Sequence, residues 1–421
     1  MKVCFLIHQG SMYSGGQGVY LHNITREMAA LGNDVHVIAG PPYPDLAPGI
    51  QLHKVRSYSV YRLLETGRLF FYGRDPLSFF HPLNFYELAT SRFGMFSVMA
   101  AFSFRAYGKL NELAAAGEHF EMIHDVQGLG YGVWLIRANG LPVVANIHHP
   151  LQVDRANSIR QARTLSAKVQ WIRFYPFWMQ EIVARHIDRV ITGSENSALS
   201  VAREFRLPRE HISVVYDGVD TETFRPLEAR REPGSILFVG NSDDRNKGAK
   251  YLLEALALLK DRGDWHLTVV DRPTAWTVPT LSRELGIADR VTLTGRLEVD
   301  ELVRRYNTTE VFVSPSLYEG FGLPAAEAMA CGAPVVATTA GAFPEVIESG
   351  TSGLLVPPRD APALADAIER LLDDFVLRRK LGRAARQRIA DHFSWREAAV
   401  RTLAVYQDVI SRRRVARSGS R

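Results

Sequence analysis

The sequence predicts an α/β protein made of two Rossmann-like, doubly wound parallel-sheet domains facing a central cleft, and three observations carry that expectation. Short apolar runs alternate with longer stretches of helical periodicity along most of the 421 residues. That is the pattern of parallel strands covered by helices on both faces. A charged, proline-containing segment, Arg225–Gly234, interrupts the alternation, after which the pattern restarts. The chain is also long enough for about two domains, each with its own core.

The elements follow in order. Val3–Ile7 reads as the first strand, a helix runs from about Val19 to Leu31, and Asp34–Ile38 is the second strand. Met122–His124, Pro142–Asn146, Arg189–Thr192 and His211–Val215 continue the series. Beyond the linker come Ser235–Val239, a helix over Lys250–Lys260, His266–Val270, Val291–Thr294, Val311–Ser314 and Pro334–Thr338. These readings place a first domain at 1–225 and a second at 234–392. Residues 393–421 are expected to form a C-terminal helix that crosses back to the first domain and ends in a basic tail. No 20–50-residue repeat is visible.

Composition bounds the function. Hydrophobic residues make up 46% and charged residues 23%, ordinary for a globular protein. A net charge of +5 and a pI near 9.1 suit an anionic small molecule or an anionic membrane surface, and nothing points to nucleic acid. Cys4 and Cys331 are far apart in apolar or helical contexts, which argues against a disulfide framework and for a reducing cytoplasm. The N-terminal apolar run is too short for a signal peptide. The uncharged stretch Phe93–Phe104 falls short of the about 20 residues needed to span a bilayer.

Two segments break the rhythm. Tyr58 to about Asn111 is rich in Phe and Tyr, and Arg155–Met179 mixes Arg160, Arg163, Lys168 and Arg173 with Trp171, Phe174, Tyr175, Phe177 and Trp178. They read as insertions in the first half. Packing onto the domain, an acceptor pocket, and peripheral contact with the inner face of a membrane are the open readings. The Arg412–Arg414 tail reads first as a solvated end.

Chemistry is densest over Pro315–Gly332, where strand Val311–Val313 leads through a glycine-bearing loop into a helix opening near Leu323-Pro324. Free amides at a helix N-terminus favour a diphosphate, and Gly320 and Gly322 let backbone approach a ligand. Glu319 in the loop and Glu327 eight positions on can each accept hydrogen bonds from hydroxyls, one set from a sugar and one from a ribose.

This segment resembles the family-4 glycosyltransferases, retaining enzymes of the GT-B fold. The resemblance covers nearly the whole chain outside the two insertions: Ser14–Val19, Asp217–Asp220, Phe224–Pro226, Gly341–Gly353 and Phe393–Trp395 share it. It implies that Gly15 and Gly16 meet the donor diphosphate or the acceptor, and that His148, in Asn146–Pro150, contacts the donor sugar near its reacting carbon. It further implies that Glu319 and the Phe321-Gly322-Leu323 amides hold donor sugar and diphosphate, Glu327 the ribose, and Lys247 the diphosphate. His149 stands where the family often has an acidic residue, and its role stays open.

Two departures stand out. The family usually places Gly-Arg after the first strand of its second half and Lys-Gly several residues later. Here the run is Gly240-Asn241-Ser242-Asp243-Asp244-Arg245-Asn246-Lys247-Gly248, with Asn241 at the arginine position and a loop one residue longer. Arg245 is expected to supply the missing charge, with a surface pairing to Asp243 or Asp244 as the alternative. Val270-Asp271-Arg272-Pro273 replaces a glycine-rich nucleotide loop.

The chain contains no Asp-x-Asp pair, so metal-independent transfer is expected, with Lys247, Arg245 and the Phe321–Leu323 amides offsetting the charge on the leaving nucleoside diphosphate. No cofactor is expected beyond the nucleotide-sugar co-substrate, and the acceptor is a hydroxyl compound the sequence does not name. The resemblance implies retention of configuration. The rival readings are a catalytically degenerate nucleotide-sugar-binding partner, a sugar-nucleotide epimerase, and an oxidoreductase. Gly15-Gly16-Gln17-Gly18 lacks the Gly-x-Gly-x-x-Gly spacing the last would need.

Overall fold

The computed structural model describes residues 1–10, 16–56, 81–92, 98–148, 150–152, 155, 159, 164–174 and 178–418. The chain divides into two compact units. One comprises Met1–Gly193, Ser197–Val215 and Ala399–Arg421, the other Ser194–Asn196 and Tyr216–Ala398.

The first unit holds a seven-stranded sheet of β1 (Lys2–Ile7), β2 (Asp34–Ala39), β3 (Gln51–Lys54), β4 (Met122–Val126), β5 (Val143–Asn146), β6 (Arg189–Thr192) and β7 (Ile212–Val214). Its order is β3-β2-β1-β4-β5-β6-β7 and its pairings are parallel. The central strands are apolar on both faces because both faces are covered. On one face Cys4, Leu6, Ile123 and Ala145 pack with Phe102, Ala106, Val133 and Ile136 of helices Val98–Ala115 and Tyr131–Ala138. On the other, register pairs Phe5 with His124. Tyr20 of helix Gly16–Ala30 and Tyr406 of helix Trp395–Ser418 both reach His124 there.

Residues 399–418 are therefore a working part of the first unit. The Tyr406 hydroxyl lies 2.5 Å from Nδ1 of the fully buried His124. Burial drives that imidazole's pKa down to about 3, with His148 adding to the effect. Arg189 Nη2 lies 2.7 Å from Asp408 Oδ2, and Arg413 Nη1 lies 3.4 Å from Asp188. Arg412 meets Asp408 at 2.9 Å, so two arginines of the basic tail are engaged within this unit.

The second unit holds a parallel six-stranded sheet of β8 (Ser235–Val239), β9 (His266–Val270), β10 (Val291–Leu293), β11 (Val311–Ser314), β12 (Val335–Thr338) and β13 (Leu354–Val356). Its order is β10-β9-β8-β11-β12-β13. Ile236, Phe238, Val311 and Val313 face one apolar cluster, and Leu237, Phe312, Val335 and Ala337 face another. Strands β3 and β13 went unread in the sequence: β3 is a polar, half-exposed edge strand, Gln-Leu-His-Lys, and β13 is only three residues long.

In both sheets the order in which strands are added reverses once, between β1 and β4 in the first unit and between β8 and β11 in the second, while the strands stay parallel. Crevices outside the strand C-termini at such points are where open α/β sheets bind ligands. Cys4 and Cys331 are buried free thiols. Among the described residues no helix is long and apolar enough to cross a membrane.

Candidate active site

In the second unit the loops leaving β8 and β11 meet at the strand reversal. The β8 loop is shaped by short polar residues. Asn241 Oδ1 accepts the Asp243 amide at 3.1 Å, and Asp271 Oδ2 accepts the Ser242 amide and hydroxyl at 2.7 and 2.6 Å. Asp243 Oδ1 accepts the amides of Trp276 and Thr277 at 3.1 and 2.9 Å, and its Oδ2 lies 2.7 Å from Arg272 Nη2. Burial pushes the Asp243 carboxyl up, but those amides and the guanidinium outweigh it and hold the pKa below the ordinary value. Asp244 accepts the Asn246 amide at 2.9 Å and so opens the single turn Arg245–Lys247.

That turn is docked against the β11 loop. Leu317 donates its amide to the Asn246 carbonyl at 2.7 Å. Gly248 follows with φ +69, and a Cβ there would lie 2.0 Å from the Pro315 carbonyl oxygen. The docking delivers Lys247 Nζ to 2.8 Å from Glu319 Oε2, and Ser316 donates its hydroxyl to the same oxygen at 3.2 Å. Desolvation lowers the Lys247 pKa, but the Glu319 charge and hydrogen bond more than offset it, so the ammonium titrates above its ordinary value. The backbone of Glu319 is fixed too: Ala342 donates to its carbonyl at 3.0 Å, and Gly341, at φ +61, is the residue that allows this approach, since a Cβ would fall 2.0 Å from that oxygen.

Helix Leu323–Ala330 begins at Gly322, whose φ of +93 and 2.5 Å Cβ distance to the Phe343 ring exclude a side chain. Pro324 in the first turn has no amide to leave unpaired. The first-turn amides point back toward the β11 loop, with the helix's partial positive charge. Gly320 and Leu323 flank this turn half-exposed, whereas the Phe321 ring is core, 5.7 Å from Phe393, so Phe321 offers the site only its backbone. Glu327 lies on this helix, half-buried, with its Oε2 accepting the hydroxyl of fully buried Tyr306 at 3.0 Å. Burial raises the Glu327 pKa to about 7, partly countered by that hydrogen bond, and burial together with Glu327 raises the Tyr306 phenol well above its ordinary value.

In the first unit, Gly16 is the exposed opening residue of its helix, while Gly15 and His149 lie outside the described residues. His148, half-buried, follows β5. Its amide donates to Gln127 Oε1 at 2.7 Å, its carbonyl accepts from the Ser197 hydroxyl at 3.3 Å, and its ring meets Tyr20 edge-on at 5.1 Å. Gln127 sits at φ +62 just after β4. Its carbonyl accepts Gln180 Nε2 at 3.2 Å, and Gln180 Oε1 accepts the Leu151 amide at 3.3 Å. Asp125, pushed up to about 7 by burial, accepts the Leu129 amide at 2.6 Å and closes the same turn.

The structure thus joins Lys247 to Glu319 and places Glu327 on the helix that Gly322 opens. The Arg245 side chain is exposed, and Arg272 is the guanidinium that engages Asp243. Tyr306, Ser316, Gly341 and Arg272 support the Lys247–Glu319 and Glu327 groups in the second unit, and Tyr20, Gln127 and Gln180 support His148 in the first, roles the sequence reading had not given them. Ser316 lies three positions from Glu319, but the partners of the others lie 21 to 128 positions away, and no local pattern marks such contacts.

The comparisons with known proteins bear on the family and the fold. Residues 14–223 match the model of Glycosyltransferase Family 4, and residues 219–388 that of Glycosyl transferases group 1. The chain is 38% identical over 418 residues to the MMP alpha-(1->4)-mannosyltransferase of Mycolicibacterium hassiacum, covering 98% of this chain and 99% of that protein. It is 27% identical to the D-inositol 3-phosphate glycosyltransferase of Streptomyces bingchenggensis, covering 96% and 87%. Among solved structures, sucrose-phosphate synthase from Thermosynechococcus elongatus superposes with a TM-score of 0.74 at 24% identity, covering 98% of this chain and all of that one. Anabaena HepE in complex with UDP and glucose superposes at 0.68 with 17% identity, covering 97% and all of that chain. The chain belongs to the family-4, group 1 glycosyltransferases and has their GT-B fold.

Proposed function

We propose that this glycosyltransferase moves a hexosyl group, mannosyl on the precedent of its 38% identical relative, from a nucleoside diphosphate to a hydroxyl of a glycan acceptor, with retention and without a metal ion. The observation that carries this reading is the 2.8 Å contact between Lys247 and Glu319 at the strand reversal of the second unit. A cation for phosphate and a carboxylate for sugar hydroxyls stand side by side, beside a helix N-terminus.

In this reading Lys247 and the first-turn amides of Leu323–Ala330 stabilise charge on the departing diphosphate, a preorganised electrostatic contribution worth about 10²–10³ per donor. Glu319 holds hydroxyls of the transferred sugar, Glu327 holds the ribose, and His148 and Gly16 serve the reaction from the first unit, which binds the acceptor. Arg245, exposed on its turn, has a side chain long enough to reach phosphate oxygens, where a guanidinium can bind two at once. The relative is named for an α-linkage, so an α-linked donor gives net retention.

The test is transfer from a panel of labelled nucleoside diphosphate hexoses to α(1→4)-linked mannooligosaccharides, with product configuration read by NMR. An α-linked product formed equally well in excess chelator and with added magnesium is expected. Loss of turnover in chelator with rescue by metal, or nucleotide binding with no turnover on any donor, would sink the reading.

Glu327 adds a pH dependence. A ribose diol needs the ionised carboxylate as a two-oxygen acceptor, and the resting carboxyl titrates at about 7. Nucleotide-sugar affinity should therefore rise about tenfold from pH 6 to pH 8, as the ionised fraction grows. Calorimetric titration with an intact donor, whose phosphates carry no proton in this range, measures it. Glu327→Gln should flatten the curve, and a flat curve in the unmodified protein would contradict the ribose assignment.

A further inference from the structure

The turn that follows β4 carries two of the five non-glycine residues with left-handed backbone among the described residues, Gln127 at φ 62 and Leu129 at φ 45. Glycine or asparagine ordinarily fills such positions, and other side chains are strained there. Packing accounts for Leu129. Its side chain is fully buried in the cluster that holds Phe102, Val133 and Ile136, and Asp125 accepts its amide at 2.6 Å. Gln127 brings no apolar side chain to that core. Its side chain is nonetheless 1% exposed, and its Oε1 accepts the His148 amide at 2.7 Å.

The Gln127 backbone is fastened on both sides. Its amide donates to the Asn146 carbonyl at 2.9 Å, and its carbonyl accepts Gln180 Nε2 at 3.2 Å. The side chain therefore starts from a fixed point, and its length sets where the His148 amide is held. His148 stands just where the sheet stops holding the chain. Ile147 still donates its amide to the Ile191 carbonyl at 2.8 Å, whereas the next amide, that of His148, bonds to the Gln127 side chain. From there the imidazole meets the Tyr20 ring edge-on at 5.1 Å. Backbone strain with no packing reason, on a residue that grips a candidate catalytic group, points to function.

We propose that Gln127 is the positioning residue for His148, kept at a strained position because its reach fixes where the imidazole stands. This rests on the role given to His148 above. Asparagine is more at home at φ 62. It is one methylene shorter, about 1.5 Å, which leaves its oxygen outside hydrogen-bond range of the His148 amide. Local stability and catalytic geometry thus pull in opposite directions at this residue, and the chain carries the side chain that serves geometry.

The experiment compares the full-length parent with Gln127→Asn, Gln127→Met, His148→Ala and the double variant Gln127→Asn/His148→Ala. Gln127→Asn should melt within about 2 °C of the parent, the relaxed backbone offsetting the lost hydrogen bond. Its turnover should fall about ten- to a hundredfold with the donor KM unchanged, as for a displaced catalytic group. Gln127→Met, which keeps the length and lacks the oxygen, should lose as much. With His148 already removed, Gln127→Asn should cost nothing further. The Cε1–H NMR signal of the His148 ring, identified by its absence from His148→Ala, should move in Gln127→Asn without any substrate present. Parent-like turnover in Gln127→Asn, an unmoved imidazole signal, or a loss that persists in the His148→Ala background would each overturn the proposal. So would a large fall in melting temperature with donor affinity lost alongside turnover, which would show a purely structural role. If the signal moves but His148→Ala turns over like the parent, or the parent transfers no sugar, the tie between the residues stands. In that case the role given to His148 fails, and this inference falls with it.

Discussion

Lys247→Ala should lower turnover about a hundred- to a thousandfold, and the loss should persist when the stability it costs is restored. In the resting protein the Lys247 ammonium neutralises Glu319, whose side chain is only 13% exposed. Among the described residues, removing the lysine leaves that carboxylate with the Ser316 hydroxyl alone. An ionised group stripped of its partner in a partly buried site costs about 1–3 kcal/mol of stability. Adding Glu319→Gln removes the unpaired charge, so the double variant should regain most of the lost melting temperature. On the proposed reading turnover should not return, because the cation for phosphate and the carboxylate for sugar hydroxyls are then both absent. Coupling of this kind is what a double-mutant cycle measures. If activity recovers in the double variant together with stability, Lys247 is merely a structural counter-ion for Glu319.

Gly248→Ala should be among the most damaging single methyl additions in the second unit. Two penalties add there. Alanine at φ +69 costs about 1–2 kcal/mol in the left-handed region. A Cβ 2.0 Å from the Pro315 carbonyl oxygen forces backbone apart, since the obstacle is not a movable side chain. Together the cost should be about 3 kcal/mol or more, a fall in melting temperature of roughly 6–12 °C for a unit of this size. Gly263→Ala is the control: its φ is +82, yet nothing lies within 4 Å of the position a Cβ would take. That variant should lose only the conformational term, about 1 kcal/mol. Equal melting temperatures for the two would refute the steric contribution. The same contact explains why a glycine follows the lysine at all: the lysine supplies charge, and the glycine lets the turn carrying it seat on the β11 loop.

These two positions also mark what the sequence can and cannot reveal. Glycine after lysine in a loop, and glutamates eight apart across a loop and helix, are local patterns, and chemistry could be attached to them before any coordinates. Long apolar strands such as Val3–Ile7 and Ser235–Val239 were legible for a similar reason: burial on both faces leaves an unbroken hydrophobic run. The edge strand Gln51–Lys54 was not, because an edge with one wet side tolerates polar residues. The replacement of arginine by Asn241 read as a missing charge. In the structure Asn241 shapes the loop by accepting the Asp243 amide, and the guanidinium at that carboxylate arrives from Arg272, 29 positions on. Tyr306 against Glu327 and Gln127 against His148 depend on how distant segments meet, and no spacing rule anticipates them.

The helix that brings Tyr406 onto His124 has a consequence for how the protein is made. Residues 1–215 leave the ribosome first, yet one face of their sheet is completed only by residues 399–418. At about 5–20 residues per second, the intervening stretch of roughly 180 residues takes on the order of 10–40 s to synthesise. Through that interval the nascent first unit presents an apolar strip along β1 and β4 with its covering segment still untranslated, while the second unit can close on its own residues. The part of the protein translated first is thus the last to be finished, and during that wait a chaperone or the unit's own helix Gly16–Ala30 must shield the strip from other chains.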